Sequence, residues 1–354
     1  MKLSISKYAK PIAFIVGLLP VFLTLSCSDV IFDEIRKEVK LSDAVISGDI
    51  QNIVRYKDDI YVSTGKISRR SVATADINKK IELKSFSSPD GYIYSLAADS
   101  SNLYALSITL EEDDDGYNVP TKRTLWCYNG SSWKSIWSKS YNEKNSAILF
   151  CTNSPKPANR HAYFRYTSTV YELTGDKLGE TGMKTETSSK PSTVPSTSSR
   201  SCALLGSTVY FSSAYAMASN ETLETDSTML YYSEGDRIFY SKDASDWQNA
   251  DLDCDTIYSI AVTADYILAG TASGIVHTTL TIGVPSSGTA DFSTNADSTL
   301  SSYYEIPAVL VIDSSKTERG ATIFASCVTS STSASLNNVG LWSYFASEGE
   351  WNRE

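Results

Sequence analysis

One two-strand pattern recurs along most of this 354-residue chain and constrains what it can fold into. NIVRY-KDD-IYVSTG runs from Asn52 to Gly65 and YSLAA-DSSN-LYALS from Tyr94 to Ser107. CALL-GS-TVYFSS (Cys202 to Ser213), YSIAV-TAD-YILAGT (Tyr258 to Thr271) and AVLVI-DSSKTERG-ATIFASC (Ala308 to Cys327) follow the same plan. AILFCT-NSPKPANR-HAYFRY, from Ala147 to Tyr166, is a looser copy. Each joins an apolar strand to an aromatic or β-branched strand through a polar turn. A second pattern follows several of them: LWCYNGSSW ending at Trp133, FYSKDASDW ending at Trp247 and LWSYFASEGEW ending at Trp351. Together the two patterns make a four-stranded antiparallel unit. The units start near residues 50, 94, 147, 202, 258 and 308, a spacing of about 52 residues. Repetition near this period with four strands per copy marks a β-propeller. A sandwich also yields short strands, but not this repeated order. The expectation is an all-β propeller over residues 45–354 with six blades, seven being the runner-up.

Composition agrees. Hydrophobic residues make up 42% and Tyr (22) far outnumbers Met (4), which favours packed sheets over disorder or helices. The six Trp (Trp126, Trp133, Trp137, Trp247, Trp342 and Trp351) recur at motif positions. They read as filler between blades, with carbohydrate-stacking platforms as the alternative. Residues 28–44 hold one apolar four-residue spacing (Ile31, Ile35, Val39), read as a tether or short helix. A strand near Val39–Ser47 is expected to complete the last blade.

The first residues fix an expected location. Lys2, Lys7 and Lys10 precede an apolar run from Ile12 to Leu25, broken by Pro20 and ending at Ser26-Cys27. That is the order of a secretory leader, residues 1–26. At about 14 residues the run is shorter than the roughly 20 of a spanning helix. Leu23-Thr24-Leu25-Ser26-Cys27 resembles the lipobox of bacterial lipoproteins, with Thr24 standing where that pattern has an aliphatic residue. The resemblance implies cleavage before Cys27, lipidation of Cys27, including an amide-linked acyl chain such as palmitate, and a membrane or outer-membrane position facing the periplasm or the cell surface. Several chains would be needed, because one acyl chain anchors only marginally. An ordinary secreted protein is the plainer alternative.

Charge narrows the partners. The chain carries −10 overall. Without the leader, 28 basic residues face 41 acidic ones. Such a body is unsuited to non-specific nucleic-acid binding. Glu111–Asn118 (EEDDDGYN) is an acidic turn whose ligand spacing does not match a calcium loop, so it reads as a solvated hairpin tip. Residues 181–200 contain eleven Ser or Thr and, like 281–302, read as flexible surface loops.

FYSKDASDW resembles the Asp-box of BNR-type propellers, Ser-x-Asp-x-Gly-x-x-Trp. Ser241, Asp243 and Trp247 match, and Ser245 stands in place of Gly. YILAGTASGI (Tyr266 to Ile275) resembles the turn between the second and third strands of such blades. In that family the Asp caps turn amides, the Trp packs between blades and the turn is remote from the active site. The match therefore implies fold rather than activity.

Catalytic signals are sparse. There is no G-x-S-x-G, HExxH, P-loop or dinucleotide glycine motif, and only His161 and His277 could serve a triad. Sialidase-like hydrolysis, which the Asp-box resemblance raises, needs three arginines on a carboxylate, and the eleven arginines show no first-blade match. Cys127, Cys151, Cys202, Cys254 and Cys327 lack metal spacing. They read as buried thiols, with a Cys127–Cys151 disulfide as an alternative. No catalytic residue, metal ligand or cofactor is assigned. The expected function is a non-enzymatic, lipid-anchored scaffold or protein-binding lipoprotein of the cell envelope. A glycan-binding or glycan-cleaving propeller is the alternative, to be favoured if Arg, Glu and Tyr cluster on one side.

Overall fold

The computed structural model describes residues 48–71, 84–185, 188–221, 228–288, 304–312, 322–329, 339–345 and 350–354, with Ile46, Ala290, Asp291 and Leu300. The leader, Cys27, the tether and all of the Val39–Ser47 strand except Ile46 lie outside them. The described chain is all β, apart from one 3-10 turn at Pro157–Asn159.

Seven antiparallel sheets follow one another in chain order. The first holds β1 (Val54–Tyr56), β2 (Asp59–Ser63), β3 (Ile67–Ser71) and β4 (Lys84–Ser85). The second holds β5 (Tyr92–Ala98), β6 (Leu103–Glu112), β7 (Asn118–Tyr128) and β8 (Trp133–Ser140). The third holds β9 (Ala147–Cys151), β10 (Ala162–Tyr166), β11 (Thr169–Thr174) and β12 (Lys177–Glu180). The fourth is a pair, β13 (Ser201–Leu205) and β14 (Thr208–Ser212). The fifth holds β15 (Met217–Ser219), β16 (Leu230–Glu234), β17 (Arg237–Ser241) and β18 (Gln248–Asp251). The sixth holds β19 (Ile257–Val262), β20 (Tyr266–Thr271), β21 (Gly274–Thr281), β22 (Val284–Pro285) and β23 (Ala290–Asp291). The seventh holds β24 (Tyr304–Glu305), β25 (Val309–Ile312), β26 (Thr322–Thr329), β27 (Gly340–Phe345) and β28 (Glu350–Arg353). The strand pairs match the repeated hairpins, including the looser Ala147–Tyr166 copy. One expected unit is divided: the chain from Cys202 to Trp247 makes two sheets, because β15 pairs with β16 and not with β14.

Tight turns set the register of these hairpins. Tyr56 pairs with Asp59 across Lys57-Asp58, and Lys57 takes φ +53. Thr281 pairs with Val284 across Ile282 (φ +51) and Gly283 (φ +78). Positive φ at both central residues, as at Ile282-Gly283, or at the first alone, as at Lys57-Asp58, matches the twist of the strands.

A four-stranded sheet has two faces and buries both by stacking on its neighbours. The cores lie between sheets accordingly. One cluster joins Tyr56, Tyr61 and Ile67 of the first sheet to Ile93, Leu96 and Leu103 of the second, with Trp126 and Trp133 against it. Another joins Leu268 and Ile275 of the sixth sheet to Ile323, Trp342 and Trp351 of the seventh. A third joins the first sheet (Ile53, Ile60, Val62) to the seventh (Leu310, Ile312, Phe324, Leu341). Trp126, Trp133, Trp137, Trp342 and Trp351 all pack in such inter-sheet clusters.

Polar contacts tie the last sheet to the first. Arg55 Nη2 donates to the Val311 carbonyl at 2.6 Å. Arg70 donates through Nε and Nη2 to the two carboxylate oxygens of Glu354 at 2.5 and 2.8 Å. Only 2% of the Arg70 side chain and 8% of the Glu354 side chain are exposed. Arg70 also lies over the Phe324 ring, and Ser343 Oγ donates to Glu354. Ile46 joins the same seam, its N–H donating to the Glu354 carbonyl and its carbonyl accepting from Leu341.

Removing one partner of a buried ion pair strands the other. Glu354→Ala is therefore expected to lower stability by about 3–5 kcal/mol, read as a drop in urea midpoint. Arg70→Met with Glu354→Leu should recover much of that loss.

Candidate functional site

Successive sheets meet in a recurring way that distinguishes the two ends of their strands. At three junctions the start of the next sheet meets the turn between the second and third strands of the sheet before it. Gly65 and Ile93 exchange backbone bonds, Ile257 N–H donates to the Gly235 carbonyl, and Ile306 N–H donates to the Thr271 carbonyl. We call this the entry side. The opposite, hairpin side carries the first-to-second and third-to-fourth strand turns.

Ser241, Asp243 and Trp247 come together on the hairpin side, in the turn between β17 and β18. Asp243 Oδ1 accepts from the N–H of Ser245 (2.8 Å) and of Asp246 (3.0 Å) and from Ser241 Oγ (3.0 Å). Ala244 takes φ +58. Trp247 Nε1 donates to the Ala244 carbonyl at 3.1 Å, and its ring meets Tyr232 of the same sheet edge-on. Each of these bonds closes the turn on itself. The amide of Asp246, then that of Ser245, holds the Asp243 carboxyl well below the usual carboxylate range.

The second sheet repeats this turn with different residues. Asn129 Oδ1 accepts from the N–H of Ser131 and Ser132 at 3.0 and 3.1 Å, Gly130 takes φ +98, and Trp133 stands four residues on. Here an amide oxygen does the work of the carboxylate. Trp133 Nε1 reaches the Ser87 carbonyl, so this Trp does pack towards the neighbouring sheet.

The connection from β9 to β10 crosses the hairpin side. Asn153 accepts from Arg55 N–H and donates to the Ile53 carbonyl, both at 2.8 Å. Arg160 is buried and donates to the carbonyls of Ser154, Pro155 and Lys57. Ser154 Oγ and Asn159 Nδ2 donate to Glu221 Oε2 at 2.6 and 2.8 Å. One loop of the third sheet thus reaches both the first sheet and Glu221, two residues after β15 in the fifth.

The entry side has a different character. Arg165, at the entry end of β10, is 6% exposed and donates through Nη1 to the Thr197 carbonyl at 2.8 Å. Arg200 precedes β13 and lies over the Tyr215 ring, 4.7 Å from its centre. Tyr215 is 57% exposed and meets Tyr258 edge-on at 5.6 Å. Burial, then the charge of Glu305 and then Tyr215, raise the Tyr258 pKa. Burial first, and the Arg200 charge second, lower that of Arg165. Gly270 admits the Glu305–Ile306 segment, since a Cβ there would stand 2.4 Å from the Ile306 carbonyl oxygen. Tyr92, Leu110 and Tyr117 add exposed apolar surface on this side.

The Ser/Thr-rich stretch differs from the flexible loop expected of it. Ser192 and Phe211 exchange backbone bonds along the edge of β14, and Lys184 pairs with Ser196. Ser196 and Ser199 are buried, with the Ser199 hydroxyl accepting from Ser196 N–H. The edge of a two-stranded sheet needs such partners, and here they position Arg200.

Other residues singled out in the sequence stand apart. Asp113 Oδ1 caps its own tip by accepting from the N–H of Asp115 and Tyr117. His161 Nδ1 lies 3.6 Å from Glu172 and His277 lies beside Tyr266. Cys127, Cys151, Cys202, Cys254 and Cys327 are free thiols, so no Cys127–Cys151 disulfide is present. Burial raises the pKa of each. Among the described residues, no group of three or more His, Cys, Asp or Glu is placed to hold a metal ion, and no helix is long and apolar enough to cross a membrane.

No family model and no curated protein matches the chain. Among solved structures, the computationally designed Ika8 protein is similar over 87% of each chain, with 10% identity and a TM-score of 0.45. A protein of unknown function from Bacteroides caccae is similar over 86% of this chain and 90% of its own, with 9% identity and a TM-score of 0.40. With TM-scores below 0.5, neither bears on function.

The Asp243 turn makes a testable statement about acid stability. Its carboxyl binds protons more weakly when folded than when unfolded, so its contribution is full above about pH 4 and fades as pH falls. Asp243→Asn keeps an acceptor that does not titrate, as at Asn129. The gap in urea midpoint between wild type and Asp243→Asn should shrink between about pH 6 and about pH 3. A constant gap would place the stabilisation elsewhere.

Proposed function

We propose that the chain is a seven-bladed β-propeller, closed at the Arg70–Glu354 seam, that acts as a non-enzymatic binding lipoprotein through its entry side. Seven consecutive sheets, most of them sharing a core with the next, support this blade count over six. The loop of the third sheet that reaches the first and fifth occupies the hairpin side, which leaves the entry side for a partner.

One observation carries the binding reading: Tyr92, Leu110, Tyr117 and Tyr215 are exposed on the same side as Arg200. Tyrosine and arginine are enriched where proteins meet, because they bring large, rigid contact area with a polar end. Two carboxylates, Glu305 and more weakly Asp255, act on Tyr258, and Asp255 also accepts from the Ser273 hydroxyl. A glycan-binding role is the second reading, favoured by the run Arg200–Tyr215–Tyr258–Glu305 with its open aromatic ring.

Lipidation at Cys27 would hold this body at a membrane of the cell envelope, outside the cytoplasm. Cys27→Ala is expected to move the protein from the membrane to the soluble fraction and to remove acyl labelling. Retention of both would refute the anchor. For the partner, the protein is crosslinked in cells, recovered from its membranes and read by mass spectrometry. A stoichiometric protein whose recovery falls with Tyr117→Ser and Tyr215→Ser supports the reading. Recovery unchanged by both substitutions contradicts it. Glycan fragments recovered in place of a protein favour the second reading.

A further inference from the structure

Asn129 and Gly130 are the only Asn-Gly pair in the chain. They lie in the turn between β7 and β8, and both are exposed. A backbone nitrogen can attack the side-chain amide of the asparagine before it, closing a succinimide ring. Glycine hinders that attack least, because it brings no Cβ.

The folded turn favours this reaction at three atoms. Asn129 Oδ1 accepts from the N–H of Ser131 (3.0 Å) and of Ser132 (3.1 Å) and from Ser131 Oγ (2.8 Å). Three donors on one carbonyl oxygen draw charge from Cγ and stabilise the oxyanion that attack creates there. The attacking nitrogen is free, since the Gly130 N–H donates no hydrogen bond among the described residues. Lys57, in the hairpin turn of the first sheet, brings its ammonium to this glycine. A Cβ on Gly130 would stand 3.6 Å from Lys57 Nζ. A cation at that distance favours the deprotonated form of a neighbouring group.

The product also has a match in the same molecule. Asp243 holds the equivalent place in the turn between β17 and β18. Its Oδ1 accepts from the N–H of Ser245 and Asp246 and from Ser241 Oγ. Donors that hold an amide oxygen hold a carboxylate more strongly.

We propose that Asn129 deamidates spontaneously in the folded protein, assisted by Lys57, and that the turn of the second sheet thereby gains the carboxylate cap that Asp243 gives the fifth. Gly130 N loses its proton and bonds to Asn129 Cγ. The Cγ–Nδ2 bond breaks, and Nδ2 leaves as ammonia with that proton. Water then opens the ring. Cleavage at Cγ restores the Gly130 N–H and leaves an aspartate in place of Asn129, whereas cleavage at the Asn129 backbone carbonyl gives isoaspartate. Either product adds one negative charge.

The test incubates the full chain in detergent at neutral pH, folded and in guanidinium chloride. Mass spectrometry follows the peptide that holds Asn129, which gains the mass difference between OH and NH2. In the folded chain, Asn129 is expected to convert at least about tenfold faster than Asn249, which is also exposed. It should convert no more slowly than in guanidinium chloride. Lys57→Met should slow the folded rate severalfold and leave the denatured rate unchanged. Asn129→Asp, made directly, should show a urea midpoint at or above that of wild type at neutral pH. Conversion no faster than at Asn249, or slower in the folded chain than in the denatured one, would overturn the proposal. So would a folded rate unchanged by Lys57→Met, or a midpoint of Asn129→Asp below that of wild type.

Discussion

The packing of the first sheet on the seventh is the interaction on which the rest of this structure depends. The first, second, third, fifth and sixth sheets each share an apolar cluster with the sheet that follows. The first and last sheets must cover each other or leave apolar faces in water. Ile53, Ile60 and Val62 meet Leu310, Ile312, Phe324 and Leu341 there. The Arg70–Glu354 pair adds direction to that apolar contact. Carboxylate and guanidinium fit in one relative placement of the two sheets, whereas methyl groups tolerate several. Ile46 adds backbone bonds along the same line.

A frame of stacked sheets leaves its turns free to differ, and the two sides use them differently. On the hairpin side, Asp243 and Asn129 spend their side chains on their own turns, and the loop from Asn153 to Arg160 spends its polar groups on neighbouring sheets. Among the described residues, the exposed large apolar groups of that side are Ile282 and Val284, at the turn between β21 and β22. On the entry side, Arg165 and Arg200 keep donors that the fold does not use, and Tyr215 keeps most of its ring in solvent. Function is therefore argued from the groups that folding leaves unused.

Much of the frame was legible in the sequence. Alternating apolar strands around Asp, Asn, Gly and Ser turns revealed the hairpins, and the recurring Trp marked where one sheet meets the next. The Ser241–Asp243–Trp247 turn was legible because its side-chain spacing is diagnostic. Its twin at Asn129 was legible as the LWCYNGSSW copy of the same pattern, although an amide oxygen there accepts the two bonds that a carboxylate accepts at Asp243. The separate fifth sheet was hidden too, since β15 has three residues and no pattern of its own. The surroundings of Arg165 and Arg200 were the least legible part. Arg165 ends a strand, while Arg200 follows a Ser/Thr stretch whose pairing with Phe211 depends on tertiary contact.

Native-state hydrogen exchange of β2 and β26 tests the central claim, closure of the first sheet on the seventh, most directly. If the seam holds the frame as one body, amides at Ile60–Val62 and at Ile323–Cys327 exchange only through a shared global opening. Their protection should then be the highest in the chain and should fall together in urea. Amides of β26 that exchange far faster than those of β2, with a separate urea dependence, would show the seventh sheet opening alone and would contradict the account.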